Sequence, residues 1–274
     1  MRIFYKTGSI VSELTNKLNK YKSGVDVLSI TSSDAIYIAS DFPLNSLYVK
    51  MGTVVNAITS IMSINYWSGM GWVNTVNLND YTDGFKTSGF IEFTPDRLVS
   101  WGMSNSNSAG QFIPELSTIT VYDKYWTRIT FGTTLTASIE LSWIGNLFSD
   151  DEDLFSEYPV FNDANFLASF ESGKTNWQEQ HARAAELIIS DLIRKKVIIG
   201  REQILDRRKF IDASICKVAE IIYTAFGNDY IEQRKIAKEE YSKRLDLSQY
   251  NIDTNNNAIA DYRDIVSSQG WMSR

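Results

Sequence analysis

The sequence predicts an α+β chain: an N-terminal antiparallel β-sandwich, a C-terminal three-helix domain and an extended tail. Three observations carry that expectation. Charge is unevenly spread: residues 25–149 hold five Lys/Arg and ten Asp/Glu, whereas 150–250 hold fifteen and nineteen, and such a shift marks a domain boundary. Short runs rich in Val, Ile, Thr, Tyr and Trp fill the first region, the composition of half-buried strands. Apolar residues three and four apart fill the second, the period of a helix face. The expected boundaries are an arm or short helix at 1–24, the sandwich at 25–148, a linker at 149–174, the helices at 175–247 and the tail at 248–274.

Residues 1–24 pair an apolar start, Ile3-Phe4-Tyr5, with a weak helical pattern at Leu14, Leu18 and Tyr21. Terminal arms of this kind are mobile unless something holds them. Eight β-like runs follow, at 25–30, 35–39, 46–51, 57–67, 71–78, 89–94, 119–131 and 137–144. Some alternate cleanly, as Ile139, Leu141 and Trp143 do against Ser138, Glu140 and Ser142. Ser68-Gly69-Met70-Gly71, Asp80-Tyr81-Thr82-Asp83-Gly84 and Thr94-Pro95-Asp96 supply turns between them. Strands spaced this way predict two packed antiparallel sheets. The polar stretch 104–110 reads as a loop, and the acidic run Asp150-Asp151-Glu152-Asp153 as a helix N-terminus or solvated linker.

The first long helix is expected to open on a capping box, Thr175 to Gln178, with Trp177, His181, Ala184, Ile188 and Leu192 along one stripe. Asp206 is the expected N-cap of the second, whose stripe is Ile211, Ile215, Val218, Ile222 and Phe226, with Gly227 as its left-handed stop. The third is expected from about Asp229 to Leu245, with the thinner stripe Tyr230, Ala237, Tyr241 and Leu245.

Composition excludes several functions. The 274 residues carry a net charge of −6, which does not suit wholesale nucleic-acid binding. One basic cluster exists (Arg194, Lys195, Lys196, Arg201, Arg207, Arg208, Lys209), diluted by Glu202 and Asp206. A single cysteine, Cys216, allows no intrachain disulfide and reads as a small core residue. A single histidine, His181, makes no His-rich metal site and reads as a packed, hydrogen-bonded residue. Charges interrupt the N-terminal residues too often for a signal peptide, and no apolar run approaches a membrane span. The expected compartment is a cytosol. With no Cys/His pair, zinc-type His cluster or glycosidase-like carboxylate pair evident, the chain is not expected to be an enzyme.

Three groups of residues remain as candidate sites. Trp67 and Trp72 flank a tight hairpin and, with Tyr81, form a possible glycan-stacking platform; the alternative is cross-strand packing. Asp253, Asn255, Asn257, Asp261 and Asp264 have the spacing of a calcium loop, so Ca2+ is the one cofactor weighed. Ala258 stands where such a loop wants glycine, and Asp264 where it wants a longer Glu, so the same stretch also reads as an Asn/Asp-rich loop that holds no ion. Tyr250 and Trp271 are candidate anchors for a tail that orders on a partner.

Residues 65–73, then Asp83-Gly84-Phe85 and 88–95, resemble a β-domain segment common in tailed-bacteriophage structural proteins. Residues 145–154, followed by 176–181 and 184–189, resemble the helical part of phage head–tail connector (adaptor, or neck) proteins. The resemblance covers roughly 60–95 and 145–265 and implies an adaptor-like helical domain in a virion neck protein assembled in the host cytoplasm. It further implies a homo-oligomeric ring that binds the portal protein and the next tail or neck component, with DNA passing nearby without sequence-specific binding and no membrane involved. The alternative expectation is a tail or baseplate accessory protein that binds host carbohydrate through Trp67, Trp72 and Tyr81.

Overall fold

The computed structural model describes residues 1–21, 24–106, 112–247, 249–260 and 264–267. The described residues form a mixed chain of antiparallel sheets and six α-helices, divided into two compact units. The first comprises Met1–Gly145 with Asp253–Ile259; the second comprises Asn146–Ile252 with the described residues from Ala260 on.

The first unit holds eleven strands: β1 (Arg2–Thr7), β2 (Ile10–Glu13), β3 (Asp26–Leu28), β4 (Ala35–Ser40), β5 (Ser46–Met51), β6 (Met62–Trp67), β7 (Trp72–Asn74), β8 (Asn77–Asp80), β9 (Gly89–Thr94), β10 (Tyr125–Phe131) and β11 (Ile139–Gly145). A four-residue helix, α1 (Thr15–Leu18), follows β2. The strands form a six-stranded sheet, β2-β1-β4-β10-β6-β7, and a five-stranded sheet, β3-β11-β5-β9-β8. Strand β4 shows how the first sheet is built. Ile36 and Ile38 enter a core shared with Leu47, Val49, Ile91 and Leu141 of the other sheet, whereas Ala35, Tyr37 and Ala39 enter a second cluster with Phe4, Trp67 and Trp126. Successive strand side chains point to opposite faces, so a strand apolar at every position demands cover on both. Ile113, Leu116 and Val121 supply it on the second face.

Three expectations change here. The N-terminus is no arm: β1 lies between β2 and β4, and Ile3, Phe4 and Tyr5 are buried because the strand alternates them between the two clusters. The two-residue loop between Thr7 and Ile10, with Gly8 at φ 55°, closes the hairpin. The run expected at 119–131 becomes a strand only from Tyr125, its earlier part serving as the cover. The run expected at 71–78 divides into β7 and β8, which pair in different sheets.

The second unit contains α2 (Asp151–Glu157), α3 (Ala164–Phe170), α4 (Gln178–Arg194), α5 (Ile211–Ala225), α6 (Ile231–Leu247) and a short strand pair, β12 (Gln249–Asn251) with β13 (Ile265–Ser267). The stripes Trp177, Ala184, Ile188, Leu192 and Ile215, Val218, Ile222 fill one core, which α6 joins through Ala237, Tyr241 and Leu245. Residues 149–174 are not a solvated linker: Leu154, Phe161 and Leu167 belong to the same core. Asp150 caps α2 by accepting the Glu152 and Asp153 amides, and Asp153 returns to the Asp150 amide. The capping box expected at Thr175 does not form. Trp177 occupies the N-cap position of α4, its amide donates to both Asp151 carboxylate oxygens (3.1 and 3.2 Å), and its indole donates to the Phe161 carbonyl (2.9 Å). Burying the largest side chain of the stripe sets where this helix starts. Asp206 instead caps the 3-10 turn Arg207–Phe210 that leads into α5, and Gly227 takes φ 69° after it.

Candidate functional site

Each candidate is constrained by what already occupies its polar and aromatic groups. Trp67 is buried, its indole donates to Ser104 Oγ (2.9 Å), and its ring meets Trp72 edge-on at 5.2 Å. Trp72 is half-buried and already engaged: Tyr37 lies 5.6 Å away, the Arg128 guanidinium stands 4.7 Å over the ring, and Glu115 accepts its indole N–H (2.8 Å). Tyr81 is exposed but follows β8 in the other sheet. The three aromatics therefore do not share a platform. A stacking sugar needs a free ring face, and Arg128 covers one face of Trp72.

The C-terminal loop is organised by Asp253, whose buried carboxylate accepts the amides of Asn255 (3.3 Å), Asn257 (3.2 Å) and Ala258 (2.9 Å). Burial pushes the Asp253 carboxyl above its usual range even though these amides act the other way. Ala258 adopts φ 57°, the conformation for which glycine was expected, and its methyl packs in the core of the first unit. The Asn257 side-chain oxygen accepts the Ile259 amide (2.7 Å), and the Asp264 carbonyl accepts the Ile252 amide (2.8 Å). Among the described residues no cluster of acidic, His or Cys ligands gathers as a metal site; Asp261 lies outside them. The loop closes on its own backbone donors.

Tyr250 does not wait for a partner. It is fully buried, its ring stacks on Phe210 at 4.6 Å and 4°, and its hydroxyl donates to the Leu245 carbonyl. A flat apolar ring beside Phe210 gains more from this core than from water, which overturns its expected role as a tail anchor. Trp271 lies outside the described residues.

The fold also assembles a constellation that no local motif announces. His181 Nδ1 lies 2.8 Å from Ser149 Oγ, which lies 2.7 Å from Ser214 Oγ, while Nε2 is 3.2 Å from Asp151 Oδ1 at an angle that makes no hydrogen bond. The residue types are those of nucleophilic catalysis. Yet both hydroxyls are fully buried, His181 is 1% exposed, and the Asp151 carboxylate already accepts the Trp177 amide. A nucleophile must come within about 3–3.5 Å of a reacting atom, and no substrate reaches these hydroxyls in this conformation. The only sequence signal was one histidine on an apolar stripe; its serine partners are remote. Cys216 is likewise enclosed, with the Tyr158 hydroxyl donating to its sulfur at 3.7 Å and burial raising its thiol pKa.

The expected basic cluster is largely consumed locally. Arg194 meets Asp191, Lys195 meets Asp246, Arg208 meets Asp206, and Arg201 lies 3.7 Å from Glu202. What stays open is a groove of about 460 Å³ between α5 and α6, lined by Glu220, Thr224, Ile231, Arg234, Lys235 and Lys238. The first unit exposes two large apolar side chains at loop tips. The turn carrying Met70 and the loop carrying Leu98 leave both side chains 92% exposed. Gly102 donates to the Trp67 carbonyl (2.8 Å) so close to Gly69 that an added Cβ would stand 2.2 Å from that amide nitrogen.

Among the described residues no helix is long and apolar enough to cross a membrane. Compared with known proteins, the chain matches no protein-family model and no curated sequence.

Proposed function

We propose that this chain is a structural assembly subunit rather than an enzyme, acting as a head-to-tail connector of a phage-type virion neck. In this reading the two sheets are a β-sandwich and α4–α6 an adaptor-like three-helix domain. Subunits close into a ring that joins the portal to the tail and lets DNA pass without gripping it.

One observation carries the reading: each unit turns an unlike, uncovered surface to solvent. The first offers the apolar Met70 and Leu98, and the second a basic groove beside Ile231. A ring built from one repeated head-to-tail contact requires two unlike surfaces per subunit. A net charge of −6 supports it further, because a channel that lets DNA slide should not bind phosphates. The sealed Ser149–His181–Ser214 cluster and the Arg128 guanidinium standing over the half-buried Trp72 ring favour this reading over hydrolysis and glycan binding.

Sedimentation of the purified chain, alone and mixed with a portal ring, tests the proposal. Closed oligomers, or co-sedimentation with portal, are expected. A monomer at every concentration that ignores portal rings overturns it.

A further inference from the structure

We infer that the groove between α5 and α6 receives an acidic segment of a partner polypeptide. The inference deepens the assembly reading and rests on it only for the partner's being a protein; ring closure can fail while this contact holds.

Ile231, Arg234, Lys235 and Lys238 share one side of α6, being three, one and three residues apart, and Glu220 and Thr224 of α5 face them across the groove. Among the described residues, Arg234, Lys235 and Lys238 have no ion-pair or hydrogen-bond partner for their side chains. Neighbouring cations do: Lys217 pairs with Glu220 (2.8 Å), Lys243 with Glu240 (3.5 Å) and Arg244 with Glu157 (2.5 Å). The acceptors of the groove are also taken, Glu220 by Lys217 and the Glu220 carbonyl by the Thr224 hydroxyl (2.6 Å). Three uncompensated cations therefore line a concave surface whose remaining member, Ile231, is 44% exposed.

That combination selects a ligand with discrete carboxylates and an apolar side chain. A helical rise of about 1.5 Å per residue places positions 234 and 238 about 6 Å apart along the axis. Carboxylates four residues apart on a helical peptide repeat at the same interval. A phosphodiester strand fits less well. Glu220 lies in the groove, Glu232 and Glu239 stand exposed on the same helix, and a nucleic-acid backbone makes no use of Ile231.

Fluorescence anisotropy on the full chain tests this, with a labelled helical peptide of Glu, Ala and Leu, its glutamates four residues apart, in about 50 mM salt, where exposed charges are less screened than at physiological ionic strength. The peptide should bind. Its Gln analogue, and the Arg234→Gln/Lys235→Gln/Lys238→Gln variant of the chain, should each bind about tenfold more weakly, as expected for three exposed ion pairs. Glutamine keeps helix propensity, so the variant's melting temperature should match the parent's. Lys209→Gln, in the 3-10 turn that precedes α5, should change nothing. Lys238→Glu should shift preference toward a Lys-containing peptide. Equal binding by parent and triple variant overturns the inference. So does tighter binding of oligothymidylate that depends on the same three cations, or loss of a self-dimer in the triple variant with no peptide binding by the parent.

Discussion

The two units reach burial by opposite routes. In the helical unit, residues three and four apart in sequence meet the same core, so Trp177, Ala184, Ile188 and Leu192 are neighbours by the geometry of α4 alone. In the β unit, β4 lies between β1 and β10, strands from opposite ends of the unit's sequence, and presents alternate residues to two clusters. A helix face is thus a local property, and a sheet face depends on which strands arrive beside it. The same contrast governs what is left open: a partly covered helix groove in one unit, turn and loop tips in the other.

The largest expected effect probes the helical core. Trp177→Ala removes a fully buried ring that packs on Phe161, Phe166 and Phe170 and donates to a carbonyl. It should cost about 3–5 kcal/mol, read as a lower denaturant midpoint; a loss below about 1 kcal/mol would mean that the aromatic cluster does not depend on its centre. The β unit has a backbone counterpart. Gly102→Ala drives a methyl into Ser68 and Gly69 at 2.2–2.5 Å, and neither backbone can yield as a side chain would. A cost of about 1–3 kcal/mol is expected, with an altered Trp fluorescence spectrum from the Trp67 hairpin. An unchanged stability and spectrum would show that the loop and turn separate freely.

Ser149→Ala comes next. It strands His181 Nδ1 and Ser214 Oγ inside the core, and an unsatisfied buried polar group costs about 1–3 kcal/mol. The change should appear in stability alone. Detection of ester hydrolysis by the parent that this substitution abolishes would refute the structural reading of the cluster.

Smaller effects separate two carboxylates of the β unit by their pH dependence. Burial alone would raise Asp34, but hydrogen bonds led by the Thr31 amide and hydroxyl (both 2.8 Å) hold it below its ordinary 3.8. Its stabilising contribution is therefore complete above pH 3.8 and disappears as pH falls through the lower folded value. Asp253 has the opposite sign. Burial raises it, so its contribution is complete below pH 3.8 and declines as pH rises through the higher folded value. Asp34→Asn should flatten the acid limb of a stability–pH curve, and Asp253→Asn should remove the decline on the other side. Identical curves for the two variants would contradict both assignments. The smallest effect is expected from calcium: with the Asp253 carboxylate already accepting three backbone amides, millimolar Ca2+ should leave the melting temperature unchanged. A rise of several degrees would reinstate the loop as a site.

Some of what the sequence did not yield was nonetheless written in it. The β1–β2 hairpin has a glycine in a two-residue loop between β-prone runs, a recognisable signal. The core role of Phe161 and Leu167 was obscured by the acids and the proline around them. The destination of 113–121 had no local signature, since covering Tyr37 and Trp126 requires knowing which face of the sheet lacks a partner.

From the sequence alone came the stripes of α4 and α5 and the Gly227 stop, all decided within a turn or two of the chain because helix hydrogen bonds span four residues. Tertiary structure decided the rest. It set the strand order and split one expected strand between two sheets. It sealed Ser149, His181 and Ser214 together, closed Arg128 over Trp72, and left Arg234, Lys235 and Lys238 without partners among the described residues. Each of these depends on contacts between residues far apart in sequence, and no local period encodes which of the many possible pairs will meet.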